Sequence, residues 1–293
     1  MHNPNPVKGY ERKGARTMTR KRRISNIIVY SGLVLAGLVC IFPLLMALMN
    51  SFKSNRELLT NVMSLPTKIH FDNYIRTFHK MKYFRSLSNT TMLAGVSVSI
   101  MILFSALAGW KLSRTKTRLS NFIFSLFVFS MLIPFSSIMI PLYRVVANLN
   151  IKNSLLGLSM VYVGLGVSMA IFLYHGFVKS IPYELEESAS IDGCGNLGTF
   201  FYIVLPLLKP ITATICITNV LWIWNDFLLP LIVVSKSEKY TLLLSTNTLF
   251  GQYSSDWTAI LSALILAAFP VIIFYSIFQK QILKGIADGA VKG

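Results

Sequence analysis

Residues 180–210 read SIPYELEESASIDGCGNLGTFFYIVLPLLKP, the one long polar interruption in the apolar second half that is written as ordered helix. Pro182 suits the first position of a helix, where its missing N–H costs nothing. Glu184, Glu186 and Glu187 crowd the first turns, where carboxylates favour the positive end of the helix dipole. Gly193 and Gly195 are expected to stop that helix, because glycine readily takes the left-handed conformation a helix end needs. A second short helical run over 197–204 should end at Pro206 and again at Pro210. Two short helices on a glycine elbow, flanked by long apolar runs, predict a protruding knob shaped for docking.

The rest of the chain supplies the apolar runs. Its 293 residues are 54% hydrophobic and only 13% charged, about half the charged fraction of soluble domains, so a membrane protein is expected. The net charge of +17 does not point to nucleic acid, because the basic residues sit between apolar runs rather than on a compact domain. Basic loops beside spans are the signature of membrane topology. Cys40, Cys194 and Cys216 show neither metal nor disulfide spacing.

Residues 1–24 form a basic arm with Lys8, Arg12, Lys13, Arg16, Arg20, Lys21, Arg22 and Arg23. It is similar to a signal-peptide n-region, but the apolar run over 25–50 is too long for an h-region and lacks a small-residue cleavage site. That run is long enough to cross a bilayer core, which needs about 20 residues. Five further apolar runs follow, at 86–110, 119–143, 154–178, 211–234 and 257–278, with Asp226 the one acidic or basic (Asp, Glu, Lys or Arg) residue among them. The expected fold is therefore an all-α polytopic membrane protein with six transmembrane helices. Its parts are a basic cytoplasmic arm (1–24), a first span (25–50), an extracytoplasmic loop (51–85) and a core domain of five spans (86–293) that carries the 180–210 knob. Both termini are expected in the cytoplasm, with the knob and with Lys111, Arg114, Lys116, Arg118, Lys280, Lys284 and Lys292.

The 51–85 loop opposes this topology. It carries Lys53, Arg56, Lys68, Arg76, Lys80, Lys82 and Arg85, whereas short outer loops are poor in Lys and Arg. The denser cluster in the first 24 residues and the even span count outweigh it, and the sequence offers no reason for so basic a loop. Ala106, Ala108 and Gly109, with Gly157, Gly164 and Gly166, are expected to mark close helix contacts. Pro43, Pro134 and Pro141 are expected to bend their spans.

Glu187-Ser188-Ala189, then three residues, then Gly193, with Ile203-x-Leu205-Pro206 downstream, resembles the EAA loop of the permease subunits of binding-protein-dependent ABC importers. Asp192 before the glycine also fits, and Ser188 stands where the family usually has alanine. The stretch Ile69-His70-Phe71-Asp72-Asn73-Tyr74 with Phe78 is similar to one before the second span of sugar-importer permeases. It reads equally well as a surface helix on the membrane or under its own outer loops. Trp224-Asn225-Asp226-Phe227 with Pro230-Leu231 resembles the fifth-span signature of the same branch, and the ending Gly289-Ala290-Val291-Lys292-Gly293 is similar to its C-terminus. These matches run from the 70s to the last residue and point to the maltose and multiple-sugar branch.

What the resemblance implies is the type I importer permease fold, working by alternating access on a sugar, an oligosaccharide by preference, in a bacterial inner or plasma membrane. The partners implied are a second permease in a heterodimer, two ATPase subunits that hold ATP and Mg²⁺, and an extracytoplasmic solute-binding protein. The chain itself is expected to bind no cofactor and no metal and to be no enzyme. The implied coupling residues are Glu187, Ser188, Ala189, Asp192, Gly193, Ile203, Leu205 and Pro206. Glu187 would bind a basic residue of the ATPase cleft, and Gly193 would permit the bend.

A carboxylate within a span is costly unless it faces protein or water, so Asp226 is a functional candidate, or else is paired within the bundle. With Asn219, Trp222 and Asn225 it forms a candidate translocation path. His175 reads as a structural histidine, while Tyr143 and Arg144 could line an outer mouth. There is no Walker-type glycine loop, no zinc-spaced His or Cys cluster and no Gly-x-Ser-x-Gly, so catalytic chemistry is not expected. The same architecture would serve glycerol phosphates or another small polar solute. An ion-coupled secondary transporter would want paired intramembrane carboxylates and inverted repeats, and Asp226 is the only carboxylate inside any predicted span.

Overall fold

In the computed structural model the backbone is described for residues 20–251 and 256–290, and side chains for 25–251 and 256–279. The expectations placed on residues 1–19, on the side chains of Arg20, Lys21, Arg22, Arg23, Lys280 and Lys284 and on the closing residues 291–293 lie outside these. Among the described residues every regular element is helical.

Helix α1 (Arg20–Ser51) is the first span, and none of its most apolar window is buried against the rest of the chain. Two short helices, α2 (Asn55–Thr60) and α3 (Asp72–Lys80), fold back over its end. The second span is α4 (Tyr83–Arg114). The third run is broken into α5 (Arg118–Ser130) and α6 (Phe135–Asn148), which meet at 103°. Pro134 explains the break, since it cannot donate to the Ser130 carbonyl and pushes Ile133 out of helical backbone. Pro43 and Pro141, expected to bend their spans, stand inside helices that continue past them. Helix α7 (Leu155–Val178) is the fourth span.

The knob follows as α8 (Glu184–Ile191). After it comes a helical stretch of α9 (Asn196–Gly198), a π-helical turn (Thr199–Val204) and α10 (Leu205–Leu207). It runs into α11 (Lys209–Asn225) with a bend of 74°. Pro206 and Pro210 do not end helices, as expected of them. Each stands in the first turn of a new one, where a missing N–H leaves nothing unpaired. The fifth run, expected to span 211–234, stops at Asn225. Asp226 is extended (φ −83°, ψ 125°), and α12 (Leu228–Val233) starts anew. A short α13 (Leu242–Ser245) precedes the last span, α14 (Trp257–Ala290). Four helices are thus long and apolar enough to cross a membrane as single pieces, and two bent pairs raise the number to six.

The centre of the bundle is α4 against α7. The two run parallel, because Met101 meets Gly166 and Tyr174 meets Gly109. A Cβ on Gly109 would lie 2.6 Å from the Tyr174 Cβ, and one on Gly166 would lie 2.4 Å from the Met101 Cε. Gly157 is pressed as closely on the Ile151 carbonyl, at 2.5 Å. Gly164 departs from the expected helix contact, since a Cβ there would meet nothing within 4 Å. Helix α11 runs antiparallel to this pair, with Thr212 bonded to Tyr174 and Asp226 to Tyr162.

The basic 51–85 loop acquires a physical account at the α3 end of the bundle. Lys53 is wholly buried, and its Nζ donates to the carbonyls of Asn61 (2.9 Å) and Val62 (3.3 Å) at the end of α2. Arg76 pairs with Asp256 ahead of α14 at 2.7 Å. Lys82 lies 3.5 Å from the Glu238 carboxylate, and Arg85 Nε donates to the Glu238 carbonyl. These cations serve as cross-links between segments rather than as a signal of orientation. Beside them Asn73 donates to the carbonyls of Ser51 (2.9 Å) and Lys53 (2.8 Å), and the Tyr74 hydroxyl meets Ser51 Oγ at 2.6 Å. The Asn-Tyr stretch therefore clamps the end of α1.

Candidate functional site

Two places in the bundle hold the residues singled out by the sequence: the knob at one end, and a cavity at the broken helices. Helix α8 begins from Tyr183 rather than Pro182, whose carbonyl-side neighbour accepts the Glu186 and Glu187 N–H groups. It ends at Asp192, with Gly193 at φ +81°. The Cys194 N–H then reaches back to the Ala189 carbonyl (2.9 Å) and the Gly193 N–H to that of Ser190 (3.1 Å), a closing pattern that needs a left-handed residue. Gly195 is not left-handed; it is the extended residue that precedes α9.

Of the three carboxylates in the first turn, Glu186 turns inward. It is only 8% exposed, accepts from Arg114 Nε at 2.8 Å and from Trp110 Nε1 at 3.0 Å, and so ties α8 to the end of α4. Arg114 also donates to the Ile181 carbonyl (2.8 Å) and stands 5.6 Å from the centre of the Tyr183 ring. Glu184 and Glu187 stay exposed, so the crowding of carboxylates in the first turn does not by itself say which of them is held. A tryptophan and an arginine one turn apart at the end of an apolar run, Trp110 and Arg114, were the available signal.

The other coupling candidates divide by face. Ala189 is buried against the bundle, and Ile203 and Leu205 are half-buried. Glu187, Ser188, Asp192 and Pro206 are exposed. The Ser188 hydroxyl donates to the Glu184 carbonyl of its own helix (2.8 Å), so serine fits where alanine is usual. Phe200, fully buried against Trp110 (ring centres 5.3 Å apart), makes the π-helical turn part of the same core. Exposed Glu187 shares the knob with exposed Tyr183, Leu185, Ile191 and Leu197. Helix α8 is thus fastened by a buried anchor on one face and presents an apolar, acidic face on the other.

The second place is a cavity of about 460 Å³ beside α7, lined among others by Ser130, Gly164, Ser168, Trp222 and Asp226. Both broken spans open into it: Met131, Ile133 and Phe135 border it from the first break, Asp226 and Leu228 from the second. Asp226 accepts the Tyr162 hydroxyl on Oδ2 (2.9 Å) and the Leu228 and Leu229 N–H groups on Oδ1 (2.9 and 3.3 Å). It is therefore paired within the bundle and also reaches the cavity. Trp222 stands edge-on to Tyr162, ring centres 5.4 Å apart.

The remaining path candidates are not brought to this cavity wall. Asn219 donates to the Ile215 carbonyl of its own helix, and Asn225, exposed, to that of Leu221. His175 stacks on Phe124 of α5 with ring centres 3.7 Å apart. Tyr143 takes a hydrogen bond from Lys152. Among the described residues no three His, Cys, Asp or Glu side chains gather as a metal site.

A bundle of continuous and broken apolar helices, with a fastened knob at one end and a largely apolar cavity that carries the Asp226 carboxylate, is the architecture of a multi-pass membrane protein. The model of the family described as binding-protein-dependent transport system inner membrane component matches residues 101–288. The chain belongs to that family, as an ABC importer permease of its carbohydrate branch. It is 38% identical, over 91% of its length and 96% of the relative's, to the "Probable starch degradation products transport system permease protein AmyC" of Thermoanaerobacterium thermosulfurigenes. It is 34% identical to the multiple sugar-binding transport system permease protein MsmG of Streptococcus mutans, over 94% of this chain and 100% of that one. With the melibiose/raffinose/stachyose import permease protein MelC of Bacillus subtilis it shares 35% identity over 78% and 83%. The fold is similar to that of a chain in the crystal structure of a bacterial ABC transporter involved in the import of the acidic polysaccharide alginate. There the TM-score is 0.77 at 23% identity, over 89% of this chain and 98% of the other.

Proposed function

We propose that the chain is the transmembrane half of a heterodimeric pathway that moves an oligosaccharide, handed over by an extracytoplasmic solute-binding protein, across a bacterial plasma or inner membrane. The observation that carries this reading is the fastened knob: α8 is anchored through Glu186 to Arg114 and Trp110, yet keeps Glu187 exposed. A helix so mounted transmits a push to α4, and through α4 to α7, as one body. The push would come from two ATPase subunits that hold ATP and Mg²⁺ on the cytoplasmic side, with Glu187 meeting a basic residue of their cleft and Gly193 setting the elbow. Ser188, Ala189, Asp192, Ile203, Leu205 and Pro206 complete that contact or back it. Both chain termini lie in the cytoplasm in this reading, and α1 lays its unburied apolar length against lipid and the second permease. The names of the relatives, which speak of starch degradation products, multiple sugars and raffinose-type sugars, support an oligosaccharide as the solute.

The test is ATP hydrolysis by the reconstituted complex of this chain, its partner permease, the ATPase subunits and the binding protein, across a panel of oligosaccharides. Stimulation by one neutral oligosaccharide is expected. A complex that hydrolyses ATP but responds to no solute in the panel would overturn the reading.

A further inference from the structure

The chain's membership of an importer family leaves open whether this subunit touches the solute. We propose that the cavity at the two helix breaks is a sugar-ring subsite for a neutral pyranose, with Gly164 as its size-determining residue; this rests on the proposed function above. Its position comes first. Broken backbone at membrane depth is tolerated where it lines a cavity or is buried in protein, because its polar groups need partners that lipid lacks. Here both breaks, at 131–134 and at 226–227, border one space. With a rise of about 1.5 Å per residue, Tyr162, Gly164 and Ser168 sit roughly 10–20 Å along α7, well inside the bilayer.

The polar groups have capacity to spare. Ser130 gives its hydrogen to the Phe127 carbonyl (2.7 Å), so the 2.7 Å contact between Ser130 and Ser168 must be a donation from Ser168. Both lone pairs of Ser168, which is 7% exposed, are then unengaged. Asp226 uses three of about four acceptor positions on its carboxylate. The Trp222 indole N–H meets no acceptor among the described residues, and the residue is 40% exposed. Two acceptors, one donor and an aromatic face suit a pyranose, whose hydroxyls ring its edge and whose C–H groups form an apolar face.

The volume of about 460 Å³ lies within the roughly 300–1,000 Å³ typical of small-molecule sites. The glycine is what leaves it open. Gly164 lines the cavity, and a Cβ there would meet nothing within 4 Å, whereas Gly109, Gly157 and Gly166 are spent on close contacts. The residues around the cavity include Asp226 and no Lys, Arg or His. An anionic solute would meet a like charge with no counter-ion, so glycerol phosphates and uronates are disfavoured. The transporter of similar fold that imports an acidic polysaccharide would handle a different charge from the one this cavity accepts.

The experiment is uptake into proteoliposomes that hold the full importer complex, with radiolabelled maltotriose, raffinose and sn-glycerol 3-phosphate as probes. Wild type is expected to import a neutral probe. Gly164→Ala, Gly164→Val and Gly164→Leu, at equal yield of assembled complex, should lower that uptake in order of side-chain size, with leucine reducing it about tenfold or more. Uptake by Gly164→Leu within twofold of wild type would overturn the subsite. If Gly164→Leu does not assemble, Trp222 decides. Trp222→Ala should lose about tenfold while Trp222→Phe, which keeps a ring, loses much less, and wild-type uptake in Trp222→Ala overturns the proposal. Import of sn-glycerol 3-phosphate with no neutral sugar would overturn the neutral class. A wild-type complex that imports none of the three with its cognate binding protein would refute the proposed function itself.

Discussion

Arg114→Gln tests how the knob is held. Glutamine cannot reach the Glu186 carboxylate as the guanidinium does, so Glu186, 8% exposed, would keep only the Trp110 N–H at 3.0 Å. The bond from Arg114 to the Ile181 carbonyl is lost as well. Removing one partner of a buried pair typically costs about 3–5 kcal/mol, because the other charge stays buried and uncompensated. Helix α8 has eight residues, too few to be stable alone, so this loss falls on its local opening. At about 1.4 kcal/mol per decade, amide exchange in α8 should quicken by at least roughly two decades. The Cys194 N–H, bonded to the Ala189 carbonyl, is the probe, and amides in the middle of α4 serve as the internal reference. Hydrogen exchange followed by mass spectrometry on the purified protein reads both. The double variant Arg114→Met with Glu186→Leu should open α8 less than the single variant, since no buried charge is left uncompensated, although the Trp110 N–H and the Ile181 carbonyl lose their partners. Exchange in α8 of Arg114→Gln within threefold of wild type would refute the anchoring argument. A double variant as open as the single one would refute its electrostatic basis.

Glu187→Lys and Gly193→Asp should leave the protein inserted but abolish solute-stimulated ATP hydrolysis by the assembled complex; normal stimulation in either counts against the coupling roles. Gly109→Ala places a methyl 2.6 Å from the Tyr174 Cβ and should destabilise the α4–α7 contact by about 1–3 kcal/mol, read as a lower Tm in detergent. Gly176→Ala, where a Cβ would meet nothing within 4 Å, is its control and should not lower Tm. Lys53→Met leaves the Asn61 and Val62 carbonyls without their donor at about 1–3 kcal/mol, and faster limited proteolysis between α1 and α3 is the expected result.

Local chemistry was legible where a residue acts on its own backbone. Gly193 is left-handed because the end of α8 calls for a residue free of Cβ clash, and the sequence narrowed the position to Gly193 or Gly195. Pro134 breaks its helix for reasons confined to its ring and its neighbour. The break at Asp226 was less legible: the carboxylate captures the Leu228 and Leu229 N–H groups, a competition that hydropathy does not register, so 211–234 looked like one span. Pro206 and Pro210 were misjudged because a proline reads the same whether it ends a helix or begins one.

By itself the sequence determined the membrane class, the order of the apolar runs and the EAA-like knob, because these follow from length, polarity and short-range spacing. Only the tertiary structure decided which glutamate is the anchor, since Glu186 and Glu187 differ by one position and the face each presents depends on where α4 ends. It also decided which glycines are contacts and which is a gap. Gly164 and Gly166 are two residues apart on one helix, and the difference is that Met101 lies across from one and empty space across from the other. The basic 51–85 loop belongs to the same class of fact: Arg76 finds Asp256 and Lys82 finds Glu238 across distances in sequence that no local pattern encodes.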